Sequence, residues 1–198
     1  MGCSQQTIGV FLEAIGGRSP TPGGGAVAPI VAALGSALGQ MVVAYSVDRK
    51  SLAEHKPALE DAAARLAKAQ AVLLELADAD AEAYGLLNAA MKRAKDDPGR
   101  KQAMAEGARA AIVPPRAAMA LCVDLLRLFE DLAPITNPML RSDLVIAAIL
   151  AEAGVRASAQ NVRVNLSLLG DETAAAEFEA ECVRSCEEAV RRCAAAQG

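Results

Sequence analysis

From Ser19 to Val47 the chain carries no charged residue, and it enters that stretch through Ser-Pro-Thr-Pro-Gly-Gly-Gly. Written as a helix, 26–47 spans about 33 Å at 1.5 Å per residue. A helix that is apolar all round must sit at the centre of a bundle, at a subunit contact or across a bilayer. The length and the Gly35-x-x-x-Gly39 spacing suit a membrane span. Against that, Pro29, Ser36 and Gln40 interrupt the run, and much of its apolarity is Ala and Gly. The expectation is a buried central helix in a bundle, with no membrane partner. Proline lacks an amide and is tolerated in the first helical positions, so Pro29 predicts a start near Ala26 with Gly25 close to the N-cap. The amides of Gly23, Gly24, Gly25 and Ala26 would then face outward at the positive end of the helix dipole, open to an anion or a polar ring edge. The same glycines would also serve a tight turn. Their spacing matches neither a dinucleotide fingerprint nor a P-loop.

At 198 residues the chain is expected to form one domain, 1–198, with a sizeable core. It is 53% hydrophobic but only 3% aromatic and has no Trp, so close packing of Ala-rich helices in an all-α, antiparallel bundle is the expected fold. A net charge of −4, with no basic stripe, speaks against a nucleic-acid partner. Cys3, Cys122, Cys182, Cys186 and Cys193, without a secretory signal, point to reduced thiols in the cytoplasm. Three of them share a face of the last helix. With no His beside them they read as small buried hydrophobes, and no metal is expected. Met1-Gly2-Cys3 suggests lipidation, but Gln6 stands where a myristoylation signal has Ser or Thr.

Turn residues divide the rest into helices over about 5–15, 58–92, 100–132, 138–154, 155–169 and 172–195. Gly154 is expected to end one of them, and Pro114-Pro115 to bend or break another. Asn137-Pro138 reads as a helix start and Asp171 as an N-cap. His55, in a polar turn, reads as a surface residue, and Lys92, Arg93 and Lys95 as solvated cations at a helix end. No strand alternation, internal repeat or long linker is present.

Helical phase then separates the acids. Leu59, Ala63, Leu66, Leu73 and Leu76 or Ala77 trace the apolar stripe of the long helix. Continued, that stripe meets Asp80, Tyr84, Leu87 and Met91, while Asp78 and Glu82 turn about 160° away, toward solvent. Asp143 likewise falls on the inward stripe with Leu140, Ala147 and Leu150. Ser158, Asn161 and Asn165 share one face of the next helix, where Asn is poor helix material and suggests hydrogen bonding to something fixed. A structural ion pair or a polar network between helices would explain these groups too. Together they describe a polar ligand pocket inside an apolar bundle.

On four motifs in order the chain resembles the cyclodeaminase/cyclohydrolase family of tetrahydrofolate enzymes, over nearly its whole length. They are Pro22-Gly23-Gly24-Gly25 with its Ala/Gly-rich helix, Asp78-Ala79-Asp80-Ala81-Glu82-Ala83-Tyr84, Asn137 with Ser142-Asp143-Leu144, and Asn161-Val162-x-x-Asn165-Leu166. The resemblance implies an all-α homodimer working on the one-carbon bridge between N5 and N10 of the folate. One branch hydrolyses 5,10-methenyltetrahydrofolate to 10-formyltetrahydrofolate; the other cyclises 5-formiminotetrahydrofolate with loss of ammonia, often beside a formiminotransferase domain. No such domain lies in these 198 residues, which tilts the expectation toward the cyclohydrolase, whereas Arg141 is closer to the cyclodeaminase version. Ala26 replaces a Ser common in the family, and Arg93-Ala94-Lys95 replaces Leu-Pro-Lys.

The resemblance makes Asp143 the preferred base and Asp80 its partner, two carboxylates in one pocket dividing proton uptake and return. Asn161 and Asn165, with Tyr84, Asn137 and Ser142 nearby, would hold the pterin. The glycine segment, with Lys95 or Arg141, would receive a carboxylate of the glutamate tail. Neither a metal nor a redox cofactor is implied.

Overall fold

The computed structural model describes Gly2 and residues 5–197. Met1 and Cys3, and with them the lipidation motif, lie outside those residues. Six α-helices are found there: α1 (Ile8–Gly16), α2 (Gly24–Ala44), α3 (Lys56–Met91), α4 (Arg100–Leu132), α5 (Arg141–Leu166) and α6 (Glu172–Gln197). Short 3-10 turns, Lys50–His55 and Pro138–Leu140, lead into α3 and α5. No strand occurs among the described residues, in keeping with the all-α expectation.

Short turns make successive helices antiparallel. α2 packs on α3 and α5, α4 packs on the same two from the opposite corner, and α6 lies outside against α4 and α5. Leu66, Leu73, Ile112, Met119, Leu126 and Phe129 fill the shared core. α1 joins through a smaller cluster in which Phe11 meets Ala26 and Ala77. Small residues set the spacing. A Cβ on Gly35 would lie 2.8 Å from the Ala147 carbonyl oxygen, and one on Gly39 would lie 2.6 Å from the Phe129 ring. The Gly35-x-x-x-Gly39 pattern therefore presses α2 against α5 and α4. The polar interruptions of α2 are satisfied by α3: the Ser36 hydroxyl donates to the Leu66 carbonyl at 2.8 Å, and the Gln40 amide to Gln70 at 2.6 Å.

α2 is long and apolar enough to cross a membrane, and a little over half of it is buried in the bundle. The expectation of a helix buried all round is not met. Leu34 is 55% exposed and Tyr45 66% exposed, on an outward stripe.

Three helix boundaries differ from the sequence reading. α2 starts at Gly24 behind an N-cap at Gly23, so Pro29 falls in its second turn instead of marking the start. α4 runs unbroken through Pro114 and Pro115. An interior proline costs a helix about 3 kcal/mol or more; both are buried, and packing against α3, α5 and α6 outweighs that cost. α5 continues through Gly154. A Cβ there would come within 2.9 Å of both the Ala32 Cβ and the Cys122 Sγ, so this glycine permits close approach and does not end the helix.

Asp171 caps α6 by accepting from the Ala174 amide at 3.0 Å. Burial pushes the Cys122 thiol up to about 12 and the Cys182 thiol up to about 11, which makes both poor nucleophiles.

Candidate functional site

The start of α2 meets the C-terminal third of α3 and the C-terminal third of α5 around a recess of about 200 Å³. Gly23, Gly24 and Gly25 form one wall, Asp80 and Tyr84 a second, and Asn161 and Asn165 a third. Ala111 of α4 and Leu87 close its floor. Asp80 and Tyr84 stand one turn apart and continue the buried row of Leu66, Leu73 and Ala77, so the phase of α3 delivers them inward.

The Asp80 carboxylate lies directly on the first turn of α2. A methyl group on Gly25 would overlap all three of its carboxylate atoms, so only glycine leaves that seat open. Burial raises the Asp80 pKa above the ordinary carboxylate value. The positive end of the α2 dipole faces the same group. Asn161 donates through Nδ2 to the Ala157 carbonyl at 3.2 Å, and Asn165 donates likewise to the Asn161 carbonyl at 2.9 Å. Each amide keeps its carbonyl oxygen and one N–H for a ligand.

Several expected members stand elsewhere. The Ala26 amide donates to the Gly23 carbonyl at 3.1 Å and does not face outward. Pro20 and Thr21 reach the recess where the sequence pointed to Pro22. Lys95 lies with Arg100 and Lys101 on a different recess of about 650 Å³, walled on its other side by Ser167 to Gly170. Asp78 is half-buried, contrary to its solvent-facing phase, and Gly2 lies close against its carboxylate. Met91, placed inward by the same stripe, is 37% exposed where α3 ends.

The largest difference concerns Asp143. It occupies the first turn of α5, while Asn161 lies in its last two turns. Eighteen residues of continuous helix separate them by about 27 Å. Because α2 and α5 are antiparallel, Asp143 lies toward the C-terminal end of α2, away from Asp80. Asn137 and Arg141 line a recess of about 520 Å³ at that end, with Ser142 beside them on α5. There the Asn137 side-chain Oδ1 caps the 3-10 turn by accepting from the Met139 backbone N–H at 3.1 Å, and the Asn137 backbone N–H donates to Ser46 Oγ at 2.9 Å. Two carboxylates do not share one pocket within a single chain. The cause is Gly154: a helix ending there could have folded the two halves of α5 together, whereas the continuous helix holds them five turns apart.

Comparison with known proteins places this arrangement. The family model for formiminotransferase-cyclodeaminase matches residues 7–184. The chain is 32% identical over 192 residues to the formimidoyltransferase-cyclodeaminase of Gallus gallus, covering 95% of this chain and 36% of the relative. It thus spans about a third of that longer protein. The methenyltetrahydrofolate cyclohydrolase of Methylorubrum extorquens is 31% identical over 176 residues, covering 87% of this chain and 85% of the relative. The solved structure of formiminotetrahydrofolate cyclodeaminase from Thermotoga maritima superposes with a TM-score of 0.85 at 27% identity, covering 98% of this chain and 93% of the other.

Proposed function

The chain belongs to the formiminotransferase-cyclodeaminase family, and from that premise we propose that it hydrolyses 5,10-methenyltetrahydrofolate to 10-formyltetrahydrofolate. The observation that carries this reading is the Asp80 carboxylate seated on the glycine turn, with its pKa raised by burial and two asparagine amides opposite. The methenyl bridge is a delocalised cation, so a carboxylate draws it in. Water adds to the bridge carbon as Asp80 takes its proton. The tetrahedral adduct then collapses: its hydroxyl releases a proton to solvent as the formyl carbonyl forms and the carbon–N5 bond breaks, and Asp80 returns its own proton to N5. A carboxylate lifted above its ordinary pKa is suited to holding and releasing a proton in this way. Asn161 and Asn165 orient the pterin edge. These steps call on no metal or redox cofactor.

A second reading, cyclisation of 5-formiminotetrahydrofolate with loss of ammonia, draws support from the relatives of Gallus gallus and Thermotoga maritima, both named for cyclodeaminase chemistry. Purified protein offered both substrates separates the two: loss of methenyltetrahydrofolate absorbance marks the first, released ammonia the second. Binding of folate with no turnover of either would leave a folate-binding protein and reject both.

The recess of about 200 Å³ is smaller than the roughly 300 Å³ at which ligand pockets begin, and a second copy offers the missing part. Leu34 of α2, Tyr45 at its C-cap, and Ile146 and Ile149 of α5 are exposed. This face measures about 31 by 20 Å, giving about 1,200 Å² over two copies, the lower end of stable interfaces. We propose an antiparallel homodimer through it, which carries Asn137, Arg141, Ser142 and Asp143 of one copy toward the Asp80 recess of the other. Light scattering should give a dimer mass, and Leu34→Glu a monomer. A monomeric wild-type protein would reject the arrangement.

A further inference from the structure

Five polar side chains line the Asp80 recess: Thr21, Asp80, Tyr84, Asn161 and Asn165. Asn161 and Asn165 each spend one N–H on a carbonyl of α5. The Asp80 carboxylate and the Tyr84 hydroxyl make no hydrogen bond or ion pair with any described residue. They stand on successive turns of α3 and form one wall of the recess. Residues four apart on a helix have Cβ atoms about 5–6 Å apart, and an aromatic side chain leans back over the turn before its own. One group is an acceptor and the other a donor. Side by side, they suit a single oxygen that donates to the carboxylate and accepts from the phenol. A water about to add to the one-carbon bridge is such an oxygen.

In the hydrolysis set out above, Asp80 handles one proton of that water, the one that ends on N5. No residue yet attends to the oxygen itself. As the adduct's hydroxyl releases its proton to solvent, negative charge collects on that oxygen until the carbon–N5 bond breaks and the formyl carbonyl is complete. We propose that Tyr84 is a catalytic residue for this step. Its hydroxyl donates a hydrogen bond to the entering oxygen, first fixing the water beside Asp80 and then stabilising the charge of the collapsing adduct. The phenol keeps its proton throughout. One water proton passes through Asp80 to N5, the other goes to solvent, and the carbon–N5 electron pair goes to N5. A donor fixed on a helix where charge develops favours the transition state over the bound substrate. The proposal rests on the hydrolytic reading above and adds the group that receives the oxygen. Cyclisation of 5-formiminotetrahydrofolate brings no oxygen to the bridge and gives Tyr84 no such task.

The test is Tyr84→Phe in the full-length chain, which removes the hydroxyl and keeps the ring. With 5,10-methenyltetrahydrofolate, kcat should fall about 100-fold, as it does when one such donor is removed, with KM within about twofold. Thr21→Val is the paired variant, since Thr21 brings the other hydroxyl to the recess; its kcat should stay well above that of Tyr84→Phe. Calorimetric titration gives a readout apart from turnover. Tyr84→Phe should bind tetrahydrofolate, which carries no one-carbon oxygen, as wild type does, and 10-formyltetrahydrofolate about 3- to 10-fold more weakly, the loss of one hydrogen bond. A kcat within about threefold of wild type, or an equal loss of affinity for both ligands, describes a residue that only holds the ring and overturns the inference. A loss of kcat in Thr21→Val that Tyr84→Phe does not share moves the donor to the loop and overturns it as well. In each of these cases wild-type turnover leaves the hydrolytic reading standing. Wild-type protein that does not accelerate hydrolysis of 5,10-methenyltetrahydrofolate overturns both.

Discussion

Replacing Gly25 with Ala separates the stability of this fold from its chemistry. The added methyl would overlap the Oδ1, Oδ2 and Cγ of Asp80. To regain ordinary contact the carboxylate must retreat by about 1 Å or more, and misplacement by 1 Å at a reacting centre costs on the order of 100-fold in rate. The fold itself should barely respond. Alanine in a helical turn gains about 0.5–1 kcal/mol over glycine, and pushing a short side chain off its preferred rotamer costs about 0.5–1.5 kcal/mol. These contributions nearly cancel, so Gly25→Ala should melt within a few degrees of wild type while kcat on methenyltetrahydrofolate falls about 100-fold. Gly24→Ala is the companion. Its Cβ would lie 3.2 Å from Asn161 Oδ1, a clash of a few tenths of an ångström at a binding group. It should therefore raise KM less than about 10-fold and spare kcat. Circular dichroism melts and the absorbance assay at 25 °C measure all four quantities. Full activity in a folded Gly25→Ala protein would show that the position of Asp80 does not matter and would refute the reasoning.

Other outcomes follow from single features. Because burial raises the Asp80 pKa, its contribution to stability is complete below the unfolded value and is lost as pH rises through the folded one. Asp80→Asn should therefore be more stable than wild type near pH 7, with the advantage shrinking toward about pH 3 in paired thermal melts. Gly154→Ala forces a methyl against Ala32 and Cys122 at 2.9 Å and should cost about 1–3 kcal/mol in urea unfolding, as overpacking does. Ser46 is buried, donates to the Val42 carbonyl at 2.6 Å and accepts from the Asn137 amide. Ser46→Ala leaves that amide without its partner and should cost about 1–3 kcal/mol in the same assay.

The helices of this protein were legible because periodicity and punctuation agree along most of the chain. α3 illustrates it: one phase, continued from Leu59, buries Leu66 and Leu73 and turns Asp80 toward the recess. The glycine turn was legible for the same reason, since three glycines before an uncharged run have few other uses. What could not be read was whether a given Gly or Pro breaks a helix. Gly154 sits where α5 crosses Ala32 and Cys122, and tertiary contact decides its role, not local propensity. Pro115 is likewise buried inside α4, a helix that packs on α3, α5 and α6. The misplacement of Asp143 followed directly. Helical phase reports which way a side chain faces but not how far along the bundle it lies, and a helix split at Gly154 removes the 27 Å, by about 1.5 Å per residue, that separate Asp143 from Asn161.

The account rests on the carboxylate at the mouth of the glycine turn, and the direct measurement is single-turnover conversion of 5,10-methenyltetrahydrofolate by Asp80→Asn. The amide preserves shape and removes proton transfer, so the chemical step should slow by at least about 100-fold in a protein that melts no lower than wild type. A rate within about threefold of wild type would contradict any acid–base role for Asp80.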